Sequence, residues 1–314
     1  MIDRAYCDGK TARQIGLENT IEDLEAARDM LLPEDLRKEW QAFPQQKELL
    51  NVLDKELNDD YFEGKGKKSA DKRMAAVIHG ALLIARAKKI LTENMLTLTE
   101  YAITNDRPII LVRQKCLRGY MLGAVNIGRD WMIPKDSPYM DFRSLEWTDE
   151  KKALRSNLGN IRTKKEYYLS RTPRQVGYEC PEEQITRDIN EMLPERLRKR
   201  HILFANVNAI IKRLDVIQTP KTFEKVIEKK NLINISPQEM ALACTMHCAM
   251  AVIEANKALF YNMTTIAQYA KTIGKKPDIV RQKCLRGGIN GATKMGTVWY
   301  VPAKQAYKRK KSKK

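Results

Sequence analysis

Val112-Arg113-Gln114-Lys115-Cys116-Leu117-Arg118-Gly119 occurs a second time, unchanged, as Val280-Arg281-Gln282-Lys283-Cys284-Leu285-Arg286-Gly287. On a helix, Val112 and Cys116 stack one turn apart, with Ile109 beside them a turn earlier, which predicts a narrow apolar stripe. Gln114, Lys115 and Arg118 fall on the opposite side, and Arg113 lies at the boundary. Gly119 follows the last turn, where a residue without Cβ can take the left-handed conformation that ends a helix. The stretch reads as a short helix, buried on one side and basic on the other.

Its surroundings repeat as well. Leu98-Thr99-Glu100-Tyr101-Ala102 lies ahead of the first copy and Ile266-Ala267-Gln268-Tyr269-Ala270 ahead of the second, each the start of a short helix. Behind lies Gly123-Ala124-Val125-Asn126-Ile127-Gly128-Arg129-Asp130-Trp131-Met132-Ile133-Pro134, answered by Gly291-Ala292-Thr293-Lys294-Met295-Gly296-Thr297-Val298-Trp299-Tyr300-Val301-Pro302. Apolar residues flank a glycine-containing turn and a proline stops the second strand, the pattern of a β-hairpin. Helix, turn, basic helix and hairpin is the order of a winged helix-turn-helix. Residues 95–139 and 263–307 resemble the small winged helix-turn-helix domains of the excisionase and MerR-like group. The second copy departs at the wing, where Thr297-Val298 replaces Arg129-Asp130. The resemblance covers under a third of the chain and implies binding to DNA.

Charge points the same way. The 314 residues carry a formal net charge of +18, with 43% hydrophobic and 31% charged residues. That is the composition of a soluble globular protein of two or three domains with an anionic partner. Residues 263–307 hold eight Lys/Arg and one acid, and Lys308–Lys314 adds six more positive charges, so 13 of the 18 lie at the C-terminal end. Residues 95–139 hold six Lys/Arg and four acids. Because the excess coincides with a DNA-reading pattern, double-stranded DNA is expected as the partner and a membrane is not. Met1-Ile2-Asp3-Arg4 leads into no apolar run, and Met74–Ala85 already contains His79, so neither a signal peptide nor a membrane span is expected. Six cysteines show no disulfide framework, and Cys116 and Cys284 sit on equivalent buried stripes, which suits the cytoplasm.

The duplication extends through most of the chain. Lys10–Gly16 matches Arg171–Gly177 and Met30–Lys38 matches Glu191–Lys199 at an offset of 161, which becomes 168 from His79 onward. A tandem repeat follows. The expected fold is mainly α with small β-hairpin wings, each repeat being a helical scaffold plus a winged helix-turn-helix. The divisions are a scaffold at 10–93, a winged module at 95–139, a partly helical linker at 140–170, a second scaffold at 171–261, a second winged module at 263–307 and a basic tail at 308–314. Pro33 and Pro194 suit the first turn of a following helix. Ser236-Pro237-Gln238-Glu239 spells a capping box. The helices near 70–92 and 237–260 are apolar nearly all round and must be enclosed.

Arg113, Gln114, Lys115 and Arg118, with Arg281, Gln282, Lys283 and Arg286, are the expected base and phosphate contacts, since Arg grips guanine and Gln grips adenine bidentately. A solvated basic face is the alternative; identity that includes the outward positions argues for contact. The helix entrances differ, Arg107-Pro108-Ile109-Ile110-Leu111 against Lys275-Lys276-Pro277-Asp278-Ile279. Either the modules read related but unequal half-sites, or the first, lacking the pair Lys275 and Lys276, has weakened. Asn126, Arg129 and Lys294 are wing-tip candidates for phosphate. Trp131 and Trp299 read as buried anchors of the wing, and the lysine tail as a phosphate-binding arm. Cys244, His247 and Cys248 invite a metal reading, but copy one has Ala76 and Gly80 at the cysteine positions, leaving too few ligands. His79 and His247 are equivalent without a second repeating catalytic group, and Gly66-Lys67-Lys68-Ser69 lacks the upstream glycine of a phosphate loop. Neither cofactor nor metal is expected, and no enzyme. The expectation is a sequence-specific DNA-binding pseudo-dimer, a transcriptional regulator of a mobile element, with two half-sites about 34–36 Å apart. An architectural or excision factor for recombination or plasmid maintenance is the alternative. Another is a scaffold whose helical halves bind a protein partner or a second copy, with DNA as anchor.

Overall fold

A computed structural model describes residues 2–58, 61–62, 67–127, 130–140, 163–224, 234–305 and 307. Among these the protein is mainly helical, with two small three-stranded antiparallel sheets. No helix among them is long and apolar enough to cross a membrane.

The first helical half comprises Arg4–Cys7, Ala12–Glu18, Ile21–Leu31, Glu39–Ala42, Gln46–Val52 and the long helix Lys67–Thr92. Lys164–Leu169, Pro173–Glu179, Glu182–Met192, Val207–Leu214 and the long helix Pro237–Phe260 form the second. Side-chain caps set the starts. Thr11 and Gln14 exchange bonds with each other's backbone N–H, as do Thr172 and Gln175, which satisfies donors that the first turn leaves orphaned. The Ser236 box forms as its spelling predicts: the Glu239 carboxylate accepts from the Ser236 N–H at 2.7 Å, and Ser236 Oγ accepts from the Glu239 N–H at 3.2 Å.

Both long helices are enclosed as their composition requires. Met74, Ala75, Ala76, Ile78, Ala81 and Ile84 of the first and Ala241, Ala243, Met246, Cys248, Ala249 and Val252 of the second are fully buried. Gly16 and Gly177 let the neighbouring short helices lie against them. A Cβ on Gly16 would strike the Ala81 carbonyl, and one on Gly177 would come within 2.7 Å of Val252 Cβ and 2.8 Å of the Ala249 carbonyl.

Three boundaries differ from the sequence reading. Pro33 and Pro194 are extended and precede single 3-10 turns, Glu34–Leu36 and Glu195–Leu197, instead of entering a longer helix. The end of the stretch read as linker, Thr163–Ser170, is a capped helix whose Tyr168 is buried and donates to the buried Asp188 carboxylate at 2.7 Å. The second helical half therefore begins at 163; the rest of that linker, 141–162, lies outside the described residues. The hairpins also gain a third strand each. Met95–Thr97 pairs antiparallel with Asp130–Pro134 (Leu96 opposite Ile133), and Met263–Thr265 with Val298–Pro302 (Thr264 opposite Val301).

The compact units cut across the repeat. One comprises residues 1–88 with 255–314, the other residues 89–254. Each unit therefore joins the helical half of one repeat to the sheet-bearing module of the other, and both divisions fall inside the long helices. A buried arginine links the two parts of each unit. Arg13, fully buried, forms a bidentate pair with Asp54 at 2.6 and 3.1 Å and donates two further N–H groups to the carbonyls of Leu259 and Tyr261, where the second long helix ends. Arg174 repeats this with Asp215, at 2.6 and 3.0 Å, and with the carbonyls of Ile90 and Leu91 at the end of the first. Terminal carbonyls lack intrahelical donors, and a guanidinium that is both paired and capping them can be buried without an orphaned N–H. Each helical half thus closes the helix that leads into the other repeat's module.

Candidate nucleic-acid interface

Each module is built by the same local devices. The long helix ends in a left-handed asparagine, Asn94 (φ 60°) or Asn262 (φ 54°), whose carbonyl accepts from the Lys135 or Ala303 N–H at 2.8 Å. The short strand runs into a helix capped by Thr97–Glu100 or Thr265–Gln268 boxes, Leu98–Thr104 or Ile266–Thr272. A tight turn follows, closed by Arg107 N–H to Ala102 O and Lys275 N–H to Ala270 O, each 2.9 Å. The basic helix comes next, Ile109–Leu117 in the first module and Pro277–Leu285 in the second. Gly119 and Gly287 then take positive φ, 70° and 65°, as a glycine past the last turn should.

Val112 and Cys116 pack with Tyr101, Ala102, Met121, Ala124 and Ile133; Val280 and Cys284 pack with Tyr269, Ala270, Ile289 and Val301. Trp131 and Trp299 lie half-buried against these clusters, so both indoles anchor the sheet. Burial pushes the Cys116 thiol up to about 12 and the Cys284 thiol up to about 11, which leaves both as neutral apolar groups. Tyr101 and Tyr269 donate to the carbonyls of Ser137 and Gln305, at 2.6 and 2.7 Å, tying the segment after the sheet to the first helix. The undersides of both basic helices are therefore fixed.

Their outer faces hold six of the thirteen residues singled out in the sequence. Arg113, Gln114 and Arg118 are exposed, and so are Arg281, Gln282 and Arg286. Asn126 and Lys294 are exposed too, each between two buried neighbours, but they sit mid-strand opposite Trp131 and Trp299 and not at the wing tip where the sequence reading places them. Lys276 is exposed and Lys275 half-buried. Lys115 and Lys283 sit apart from this set. Lys115 is half-buried, with its ammonium donating to the Met140 carbonyl and lying 4.5 Å from the Tyr139 ring centre, while Lys283 lies 3.9 Å from that of Tyr307. Both clasp the segment after the sheet. Arg129 and Lys308–Lys314 lie outside the described residues.

Sequence reasoning missed the apolar members of these faces. Leu117 and Leu285 are 66% and 58% exposed, the first module also exposes Ile103, Ile109, Ile110 and Leu111, and the second also exposes Ile279, so Ile109 does not join the buried stripe of Val112 and Cys116 as its spacing predicts. The signal was available: with Val112 and Cys116 at the bottom of the helix, positions 110, 114 and 117 fall on top at 100° per residue. A face of arginines, an amide and aliphatic groups is chemically suited to guanine, adenine and thymine-methyl edges together with phosphates.

The other sequence candidates are internal. His79 and His247 lie in the helical halves, buried, with Nε2 at 2.8 and 2.7 Å from the Leu36 and Leu197 carbonyls; burial pushes both imidazoles below the ordinary value. Neutral rings donating to those carbonyls account for both. Cys244 and Cys248 are buried, the first with its Sγ 3.5 Å from Gln218 Oε1. No group of three or more His, Cys, Asp or Glu able to hold a metal occurs among the described residues.

No family model, no curated protein and no solved structure matches the chain.

Proposed function

We propose that the protein is a sequence-specific duplex-DNA-binding protein, two winged helix-turn-helix modules in one chain, acting as a transcriptional regulator. One observation carries the reading. Two helices fixed from below by equivalent cores turn the same Arg–Gln–Arg set to solvent, Arg113, Gln114 and Arg118 in one and Arg281, Gln282 and Arg286 in the other. Solvation alone requires charge at such positions, not identity. Base recognition requires both identity and a rigid support, because each bidentate contact depends on the placement of a planar group. The net charge of +18 supports the reading through phosphate attraction, and the resemblance to excisionase and MerR-like domains supports it through element order.

The test is a fluorescence-anisotropy titration of the full chain with duplexes enriched from a random pool. Saturable binding is expected, at least about a thousandfold tighter than to a scrambled duplex at physiological salt. Equal affinity for both would refute sequence reading.

A further inference from the structure

The basic helices differ at three exposed positions of the first turn, Ile109/Pro277, Ile110/Asp278 and Leu111/Ile279, and only the middle pair exchanges an aliphatic group for a hydrogen-bonding one. Opposite the buried stripe of Val112 and Cys116 lie Ile110, Gln114 and Leu117; opposite that of Val280 and Cys284 lie Asp278, Gln282 and Leu285. Two of the three are identical. The third, in the first turn of each helix, is an isoleucine that is 66% exposed in one module and an exposed aspartate in the other.

Resting on the DNA-binding reading above, we infer that Ile110 and Asp278 set the base by which two otherwise similar half-sites differ. Ile110 selects thymine and Asp278 selects cytosine. A recognition helix enters the major groove with its N-terminal residues against base edges. There an aliphatic side chain gains by covering the thymine C5 methyl, and a carboxylate accepts from the cytosine N4 amino group. An aspartate near phosphates needs compensating cations. The second module supplies them: Lys275 and Lys276 precede Asp278, where the first has Arg107 and Pro108. Charge and base-reading group have changed together. The exposed isoleucine alone would equally suit a protein surface, but it shares its face with Gln114 and Arg118, which the second module repeats unchanged. A shared ligand class with one altered contact fits that combination.

The test selects duplexes from a random pool with the full chain and with two exchanges, Ile110→Asp and Asp278→Ile. The wild-type chain should enrich two half-sites with a common core and one differing position, thymine in one and cytosine in the other. Ile110→Asp should convert that thymine to cytosine with a preference change of about tenfold, and Asp278→Ile should do the converse. Replacing the thymine with uracil, which removes only the methyl group, should weaken the wild-type chain several-fold and leave Ile110→Asp unaffected. Identical half-sites, or indifference to uracil, would overturn the inference while leaving DNA binding intact. Enrichment of no duplex at all would remove the DNA reading itself and this inference with it. An Ile110→Asp chain that keeps its base preference but changes its mass in light scattering would show a protein contact and overturn the assignment.

Discussion

Replacing Arg174 with methionine should destabilise the unit formed by residues 89–254 by about 3–5 kcal/mol. The magnitude follows from what the guanidinium leaves behind. Its side chain is completely buried, its partner Asp215 is only 15% exposed, and the carbonyls of Ile90 and Leu91 accept from it at 2.7 and 3.2 Å. Methionine fills much of the volume but neutralises nothing and donates nothing. The carboxylate is then buried without its cation, and the end of the long helix loses its cap. At a urea m-value of about 2–3 kcal/mol/M, the transition of this unit should move down by about 1–2 M. Equilibrium unfolding followed by far-UV circular dichroism measures the shift. The double change Arg174→Met with Asp215→Leu removes both charges and should recover most of the loss, since the penalty comes from the orphaned carboxylate and not from the absence of a pair. A single variant that loses less than about 1 kcal/mol, or a double variant no better than the single, would refute this account of the clamp.

Three further outcomes are expected. Gly177→Ala should cost about 1–3 kcal/mol in the same assay, because its methyl would press on Val252 and the Ala249 carbonyl; a neutral or stabilising change would show that the helices part easily. Stability should fall as pH drops from 7 towards 5. Both buried histidines have pKa values depressed below the unfolded value, so the unfolded chain takes up protons first, and the contribution present above pH 6.5 is lost as pH falls through the folded pKa values. Replacing His79 and His247 with glutamine should flatten the stability profile in that window, and an unchanged slope would contradict the assignment. Arg281→Ala with Arg286→Ala should weaken specific DNA binding by at least about tenfold, and by more than Arg113→Ala with Arg118→Ala, because the C-terminal module carries the greater basic excess; a gel-shift titration giving equal losses would refute its dominance.

The octapeptide made the modules legible because three local rules agree there: apolar spacing of four, a glycine past the last turn, and a hairpin ending in proline. The capping box spelled at Ser236 is equally local, and it forms; those at Thr97 and Thr265 obey the same rule but go unread in the sequence. What could not be read depends on distant parts of the chain. Met95–Thr97 is too short to show alternation and becomes a strand only because Asp130–Pro134 offers it an edge. Lys115 is placed with the outward residues by the sequence reading, yet at about 100° per residue it falls on the flank of the helix, where a carbonyl and an aromatic ring of the following segment hold it. The two parts of each unit are linked by Arg13 and Arg174, which in the sequence are simply charged residues beside a capping threonine. Arginines are seldom fully buried, and their partners lie more than 80 residues away along the chain as well as at the nearby Asp54 and Asp215.

Hydroxyl-radical footprinting of a selected duplex with the full chain shows whether both modules touch the same DNA. Two groove-reading modules in one chain predict two protected segments about one helical turn apart, or a multiple of it. The Arg281→Ala with Arg286→Ala variant should erase one segment and spare the other. Protection of a single segment, uniform protection without boundaries, or none would contradict the account.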